Sequence, residues 1–237
     1  MILLLIPKDN INTRGIGLLE TLWKGVEAII YTLLRASISF YDILHGFPAG
    51  RAMGTTILEL KLSQELASVN QGPLFLVFMD FPKAYDTMDR GRLLTNLEGY
   101  GASPHMRGIL AEFWVRQEIV TRKNGYHVPH FQATRGTNQG GIILPTLFNL
   151  IVENVVQNWL SLMVEDKLVA REGLGLSVGW CLVLFYADNI MVGSWYLGWL
   201  EGTSNIIIGL FQWYVLVDNV TKSKAMTCQM GEIRSGI

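Results

Sequence analysis

Apolar residues along the chain follow two patterns, helical spacing and short continuous runs. Helical spacing predicts helices over Leu18–Leu34, Glu59–Val69 and Leu197–Gly209. A further helix is predicted from Pro145 to about Val164, because proline suits the first turn of a helix. These segments supply most of the helical part of the predicted fold.

Shorter helices are predicted in the middle of the chain. Asp86 or Asp89 is expected to cap a helix that ends near Gly99, with Arg90 in a surface ion pair. The next helix is expected to start at Ser103 or Pro104 and to run through Phe113.

Short apolar runs bounded by turn residues predict the strands. Leu74–Met79 is such a run and follows the turn-forming residues Gln71–Pro73. Two hairpins are predicted, one around residues 124–125 and one around residues 187–188. The other predicted strands are Glu118–Arg122, His130–Thr134, Cys181–Phe185, Ile190–Val192, Tyr214–Val217 and Met226–Gln229. The mixture predicts an α+β fold in which helices cover an antiparallel sheet.

Composition narrows the classes of function. Of the 237 residues, 50% are hydrophobic and only 16% are charged, whereas about 25% charged is usual. The net charge of −1 gives no overall basic field, so nucleic acid would need a local basic groove. Cys181 and Cys228 predict reduced thiols in an intracellular protein, nuclear or cytoplasmic, with no disulfide partner. The apolar stretch Ile206–Val217 is too short for a membrane span, so no membrane partner is expected.

Two aspartates are the first candidates for chemistry. Asp80 directly follows the predicted strand at 74–79, and Asp188 lies on a predicted hairpin turn. On neighbouring strand ends, two such carboxylates could hold a pair of Mg²⁺ ions about 3.5–4 Å apart for phosphoryl transfer. The alternative is that Asp80 caps a turn and Asp188 is an ordinary hairpin residue. The residues by themselves leave both interpretations open.

The surrounding motifs resemble those of a known family. Phe78–Asp86 (FMDFPKAYD), Arg135–Asn149 (RGTNQGGIILPTLFN) and Phe185–Asn189 (FYADN) resemble the palm motifs of reverse transcriptases, particularly those of non-LTR retroelements and group II introns. Leu5–Lys8 (LIPK) with Arg14–Ile16 (RGI) is similar to the fingers motifs of that family, and Lys222–Met226 (KSKAM) to its later lysine motif. The resemblance covers nearly the whole chain.

This resemblance implies a right-hand polymerase fold and a polymerase activity. Fingers are expected over residues 1–73 and a palm over residues 74–237, with the chain ending before a thumb. The implied function is RNA-directed DNA synthesis in a retrotransposon, with Mg²⁺ as cofactor and Mn²⁺ as an alternative. The implied partners are an RNA template, a DNA or RNA primer and dNTPs.

The resemblance also implies which residues bind the nucleotide. Lys8 and Arg14 would grip the triphosphate, and Tyr85 would lie beneath the sugar and select deoxynucleotides. Gln139 and Gly140 would lie in a turn that approaches the template or nucleotide closely. The alternatives are exposed surface cations for Lys8 and Arg14, a packed core aromatic for Tyr85, and a plain turn before a helix.

The implied metal site contains one departure from the family. Asp80 and Asp188 would bind both metals, the backbone carbonyl of Phe81 would add a ligand, and Lys222 would donate a proton to pyrophosphate unless it is merely solvated. Asn189 stands where the family has a second aspartate, and an amide oxygen binds a hard cation more weakly than a carboxylate. We expect weakened rather than absent metal binding. The alternative is a decayed or domesticated copy that keeps the fold and at most binds RNA.

Overall fold

Strands and helices are interspersed along the chain. The computed structural model describes residues 2–7, 13–18, 21–38, 40, 44–46, 50, 52–81, 83–115, 118–123, 126–127, 131–137, 140–165, 181–216, 219, 221–229 and 232–236. In chain order the elements are β1 (Ile2–Pro7), β2 (Thr13–Leu18), α1 (Thr21–Ser37), α2 (Met53–Val69), β3 (Leu74–Asp80), α3 (Ala84–Thr87), α4 (Arg90–Gly99), α5 (Pro104–Val115), β4 (Glu118–Lys123), β5 (Tyr126–His127), β6 (Phe131–Gln132), α6 (Leu144–Glu165), β7 (Cys181–Tyr186), β8 (Asn189–Ser194), α7 (Leu197–Trp213), β9 (Lys224–Gln229) and β10 (Glu232–Gly236).

The chain divides into two compact units, each made of two segments. The first unit comprises Met1–Ser39 with Lys83–Leu150, and the second comprises Phe40–Pro82 with Ile151–Ile237. Each unit contains its own sheet. The assignment of fingers to residues 1–73 and palm to residues 74–237 stays a prediction.

The sheet of the second unit has β3 at its centre. Its strand order is β10-β9-β3-β8-β7, and every neighbouring pair is antiparallel. β3 pairs with β8 as far as Asp80, which lies opposite Asn189. On its other side β3 pairs with β9 as far as Phe78, opposite Lys224. A strand with neighbours on both sides is well placed in the interior, which accounts for the continuous apolar run of β3.

Alternation along the strands divides their side chains between two helices. Leu76 and Leu184 belong to a buried cluster that includes Ala67 of α2. Phe185 follows Leu184 and points to the other face, where its ring centroid lies 6.4 Å from that of Phe211 in α7. α2 therefore covers one face of this sheet and α7 covers the other.

The first unit combines a smaller sheet with paired helices. Its strand order is β2-β1-β4-β5, with β6 also paired to β4; β1 is antiparallel to β2 and parallel to β4. Trp23 of α1 packs against Phe113 of α5 with ring centroids 4.9 Å apart. Arg107 of α5 and Glu98 of α4 form a bidentate ion pair, in which Nη1 and Nη2 donate to Oε2 and Oε1 at 2.9 and 3.0 Å. Because the glutamate is exposed, this pair adds little beside the apolar packing.

Within the first unit, main-chain hydrogen bonds hold Gly136 against the segment around α3. Gly136 N donates to Met88 O at 2.8 Å, and Thr137 N donates to Tyr85 O at 2.9 Å. Gly136 has a φ of +72°, and a Cβ atom there would lie only 2.4 Å from Asp86 O. Both the left-handed backbone and the close approach require glycine at this position.

Arg90 strengthens the same attachment. Its Nε donates to Gly136 O at 2.7 Å and its Nη1 donates to Ala133 O, while the guanidinium lies 5.5 Å from the centre of the Trp114 ring. Burial lowers the pKa of the Arg90 guanidinium from its usual value. The surface ion pair predicted for Arg90 is therefore wrong, whereas the capping role is confirmed for Asp89, which accepts from Arg92 N at 2.9 Å.

The other predicted elements are present with shifted boundaries. α1 begins at Thr21 instead of Leu18, because residues 13–18 pair with β1 as β2. α2 begins at Met53, six residues before the predicted start. β4 pairs with both β5 and β6 instead of with one long strand, and residues 124–125 lie outside the described part of the chain. Among the described residues, none of the helices combines the length and apolar character needed to cross a membrane.

The strand predicted at Tyr214–Val217 is wrong over its described residues. After α7, Tyr214 and Val215 form a turn in which Val215 has a φ of +64°. Leu216 N donates back to Phe211 O at 3.1 Å. Tyr214 and Leu216 are buried, so the apolar pattern indicated burial correctly but not an extended backbone.

Gly136→Ala is predicted to lower the free energy of unfolding by at least about 2 kcal/mol, because the added methyl group overlaps backbone atoms that cannot move away easily. The measurement is urea denaturation followed by circular dichroism. The matched control is Gly108→Ala in α5, where the added Cβ meets nothing within 4 Å and helix propensity favours alanine by about 0.5–1 kcal/mol. Equal loss of stability in the two variants would contradict the attachment.

Candidate active site

Two acidic residues lie at the same end of the second unit's sheet. β3 ends at Asp80, which lies opposite Asn189, the first residue of β8. One step further, Phe81 N donates to Asp188 O at 3.3 Å, so the hairpin turn is attached to the end of β3. The structure therefore brings together Asp80 and Asp188, which are 108 positions apart in the sequence.

The turn between β7 and β8 has an unusual backbone. Ala187 has a φ of +53°, a left-handed backbone conformation that is uncommon for residues other than glycine. Asp188 follows it and is half-buried, and the exposed Asn189 donates from Nδ2 to Asp188 Oδ1 at 3.3 Å. The amide of Asn189 thus lies against the carboxylate of Asp188.

Cationic and amide groups surround the carboxylate of Asp80. Lys222 Nζ lies 3.7 Å from Asp80 Oδ2, and Asn219 Nδ2 lies 3.4 Å from the same oxygen. Asn219 N also donates to Asp80 O at 2.8 Å, and Asp80 N donates to Ser223 Oγ at 3.3 Å. The loop before β9 therefore holds both the backbone and the side chain of this aspartate. The Lys222 side chain is 53% exposed, so it remains accessible to a solute.

A cleft of about 630 Å³ opens beside these groups. Its polar part contains Asp80, Asn189, Lys222 and Lys224, and apolar residues of α2 and the sheet form much of the remaining wall. Carboxylate and ammonium groups in one cleft are suited to a ligand that carries phosphates together with a divalent cation. The two lysines also provide a local positive charge that the net charge of the chain does not predict.

The donor atoms at this edge fit Mg²⁺. The candidate ligands are the carboxylates of Asp80 and Asp188, the carbonyl of Phe81 and the amide oxygen of Asn189, all of them hard oxygen donors. Mg²⁺ binds through one or two carboxylates and completes its shell with water and substrate phosphates. In the described part of the chain no three His, Cys, Asp or Glu side chains form a metal cluster, and the candidate set named here contains two carboxylates.

Two nucleotide-binding candidates belong to the first unit. Tyr85 is half-buried, and its ring centroid lies 4.9 Å from that of Phe148. Gly140 has a φ of +111°, which suits a turn that only glycine enters easily. Lys8 and Gln139 lie outside the described residues, and of Arg14 only the strand backbone of β2 is described.

Glu27 supports the turn that contains Gly140. Its buried carboxylate accepts from Ile142 N at 2.7 Å, just before α6 begins at Leu144. Burial raises the pKa of Glu27, and hydrogen bonds from the backbone N–H groups of Ile142 and Ile143 partly offset that rise. An acidic group at the start of a helix satisfies N–H donors that have no partner inside the helix.

Sequence reasoning missed Asn219, Ser223 and Glu27. Asn219 and Ser223 contact Asp80 across 139 and 143 positions, and no local pattern marks such a contact. Ser223 does lie within the lysine motif, which could have drawn attention to it. The only signal for Glu27 was that it is the one acidic residue of a predominantly apolar helix.

Comparison with known proteins identifies the family. A profile described as Reverse transcriptase (RNA-dependent DNA polymerase) matches residues 6–234. The chain therefore belongs to the reverse transcriptase family, as its motifs imply. It is 25% identical over 146 residues to the retrovirus-related Pol polyprotein from type-2 retrotransposable element R2DM of Drosophila melanogaster. That match covers 61% of this chain and 14% of the polyprotein, so the chain spans a small part of this relative.

Solved telomerase structures share the fold. Telomerase from Candida tropicalis in complex with a TWJ fragment of telomeric RNA superposes with a TM-score of 0.69 at 12% identity, covering 97% of this chain and 41% of that one. Apo telomerase from the same organism, truncated from its C-terminal domain, gives 0.66 at 11%, covering 99% and 54%. The Candida albicans telomerase complex gives 0.65 at 12%, covering 98% and 42%. Identities this low show the fold alone: an α+β polymerase fold with an antiparallel palm sheet covered by helices.

Glu27→Gln is predicted to remove a pH dependence of stability. Because the folded-state pKa of Glu27 is raised above its ordinary value of 4.5, its protonation stabilises the fold fully below that value, and the contribution is lost as pH rises through the folded pKa. The stability of the wild type relative to Glu27→Gln should therefore increase as the pH falls from neutral toward 4.5. Urea denaturation at several pH values measures this difference.

The control for this prediction is Glu65→Gln on α2, where the side chain is exposed. Its stability difference from the wild type should change less with pH over the same range. A flat difference for Glu27→Gln, or one that favours the wild type more at high pH, would show that burial of Glu27 does not raise its pKa.

Proposed function

We propose that this chain is the RNA-directed DNA polymerase domain of a retrotransposon, which transfers a nucleotide from a dNTP to a primer 3′-hydroxyl on an RNA template. The observation that carries the proposal is the attachment of the Asp188 turn to the end of β3, with Phe81 N bonded to Asp188 O at 3.3 Å. This backbone contact joins the two aspartate-bearing segments at one end of the sheet, which supports a shared role for the two carboxylates. Membership of the reverse transcriptase family supports the same chemistry.

Asp80 and Asp188 would hold the Mg²⁺ ions, with Phe81 O and Asn189 Oδ1 as further oxygen donors. An Mg²⁺ ion held there would lower the pKa of the attacking hydroxyl and neutralise charge on the leaving pyrophosphate. The chain's own contribution is to keep both carboxylates oriented through the backbone bonds of Asn219 and Phe81. Positioning of this kind supplies much of the rate enhancement in phosphoryl transfer.

Lys222 is the proposed proton donor to the leaving pyrophosphate. Its ammonium group lies 3.7 Å from Asp80 Oδ2 and is half exposed, so it borders the cleft beside the metal-binding carboxylate. An ammonium there also offsets negative charge that develops on the departing phosphates.

The remaining roles concern the nucleotide. Lys8 and Arg14 would bind its triphosphate as cations, and Gln139 with Gly140 would bring backbone close to the template or nucleotide. Tyr85 would select deoxynucleotides because a 2′-hydroxyl would clash with the ring. The packing of Tyr85 on Phe148 at 4.9 Å would keep that ring in one orientation.

Asn189 favours a second candidate, a copy that retains the fold and binds RNA but catalyses poorly. The Asn189 side chain carries no negative charge. Its amide nitrogen, and not its oxygen, faces the Asp188 carboxylate, to which it donates at 3.3 Å. A neutral ligand weakens the binding of a hard divalent cation. Each tenfold loss of rate corresponds to about 1.4 kcal/mol of barrier.

Asn189→Asp is predicted to raise the rate of primer extension by at least about tenfold, equal to about 1.4 kcal/mol, because a third carboxylate binds Mg²⁺ more tightly. Asp188→Ala should abolish extension. The measurement uses an RNA template annealed to a DNA primer, with dNTPs and Mg²⁺. Asn205→Asp, an exposed position in α7, is the matched control for the added charge and should leave the rate unchanged.

Three outcomes separate the candidates. Extension that Asp188→Ala abolishes and Asn189→Asp increases supports the polymerase proposal. Tight RNA binding with no extension in any variant supports the RNA-binding copy instead. Equal extension by the wild type and Asp188→Ala would show that the proposed site does not carry the activity.

A further inference from the structure

A short segment of the second unit, Leu44–Gly46, lies directly against the hairpin that carries Asp188. Leu44 forms a parallel bridge with Phe185, the penultimate residue of β7. His45 N donates to Phe185 O at 2.8 Å, and Gly46 N approaches the same oxygen at 3.4 Å. All three residues of this segment, which we term the strap, are buried.

His45 attaches the strap to the first turns of α2. Its ring is buried, with 2% of the residue exposed, and Nδ1 lies 3.1 Å from Thr55 Oγ1. On the other side of the ring, Nε2 lies 3.4 Å from Glu59 Oε1, close enough for an electrostatic contact but without hydrogen-bond geometry. A buried imidazole with polar partners on two sides has little freedom to rotate.

Gly46 lies under the turn itself. A Cβ atom at Gly46 would be 2.4 Å from Ala187 N and 3.2 Å from the carbonyl carbon of Tyr186. These are backbone atoms, so the hairpin would have to move to accommodate a methyl group. The contact falls on Ala187, whose φ of +53° already makes this the strained position of the turn.

The Asp188 turn is thus held on two sides. Phe81 N, at the end of β3, donates to Asp188 O at 3.3 Å, and the strap supports Phe185 and Ala187. A left-handed alanine persists only where its surroundings determine the backbone conformation. Loss of the strap would leave the hairpin end with the β3 attachment but without its second support.

We propose that His45 and Gly46 are positioning residues that set the location of the Asp188 carboxylate, His45 by attaching the strap to α2 and Gly46 by its contact with Ala187. The inference rests on the proposed polymerase function for its catalytic consequence. A metal-binding carboxylate must be held within about 0.5 Å of its productive position. Neither residue needs to touch a nucleotide or a metal for this role.

Gly46→Ala tests the contact, with Gly54→Ala as its matched control, because a Cβ atom at Gly54 meets nothing within 4 Å. Hydrogen exchange measured by mass spectrometry should be at least about tenfold faster in peptides covering residues 185–189 of Gly46→Ala than of Gly54→Ala. Mn²⁺ affinity, measured from the electron paramagnetic resonance signal of free Mn²⁺, should fall. In primer extension kcat should fall about tenfold or more, with KM for the primer–template unchanged.

His45 is tested by a pair of substitutions. His45→Asn keeps a polar atom near the position of Nδ1 and can still bond to Thr55 Oγ1, whereas His45→Leu fills similar volume without that bond. His45→Asn should retain kcat within about threefold of the wild type and His45→Leu should not. His105→Leu on α5, where the histidine is exposed, controls for the chemical change and should leave hydrogen exchange at residues 185–189 unchanged.

The two proposals fail in different ways. If Gly46→Ala and Gly54→Ala show the same exchange at residues 185–189 and the same kcat, the strap does not position the turn. If Gly46→Ala unfolds, the His45 pair decides, and equal behaviour of the asparagine and leucine variants overturns the proposal. If the wild type extends no primer and Asp188→Ala leaves Mn²⁺ affinity unchanged, the polymerase proposal fails, while faster exchange in Gly46→Ala still supports the strap.

Discussion

Antiparallel pairing of β3 with β8 is the interaction on which the candidate site depends. The ladder ends where Asp80 lies opposite Asn189, and one further hydrogen bond joins Phe81 N to Asp188 O at 3.3 Å. A shift of register by one residue would turn every side chain of a strand to the other face of the sheet. The register that buries Leu76 of β3 and Met191 of β8 in one cluster with Ala67 of α2 is therefore part of the arrangement that sets the two aspartates at one end of the sheet. The same strand register thus determines both the packing of the core and the positions of the two aspartates.

Electrostatics at this edge follow from the same arrangement. Neighbouring carboxylates repel each other unless cations or hydrogen-bond donors lie close to them. Lys222 and Asn219 approach Asp80 at 3.7 and 3.4 Å, and the amide of Asn189 approaches Asp188 at 3.3 Å. These donors offset the negative charges of Asp80 and Asp188 within the chain itself. A divalent cation has to compete with them for the same oxygens, so the groups that hold the carboxylates in place also affect how tightly Mg²⁺ can bind.

Main-chain contacts support functional segments in both units. In the first unit, Gly136 bonds to the segment beside α3, and Glu27 accepts from the turn before α6. In the second, Gly46 supports the turn that precedes Asp188. Bonds to backbone atoms depend on where the chain passes and little on side-chain type, so sequence reasoning did not find them. At Gly136 and Gly46 the glycine itself is the sign of such a contact, because a close approach of two backbones excludes a Cβ atom.

The sequence by itself determined the elements and the family, because both depend on local patterns. The apolar run at 74–79, the aspartate that follows it and the motifs in order were enough for β3 and for a polymerase fold, although the pattern at Tyr214 indicated burial and was mistaken for a strand. The tertiary structure alone decided which distant groups meet Asp80. Asn219 lies 139 positions away from it. Such a contact depends on how all the intervening chain packs, and no local pattern of residues contains that information.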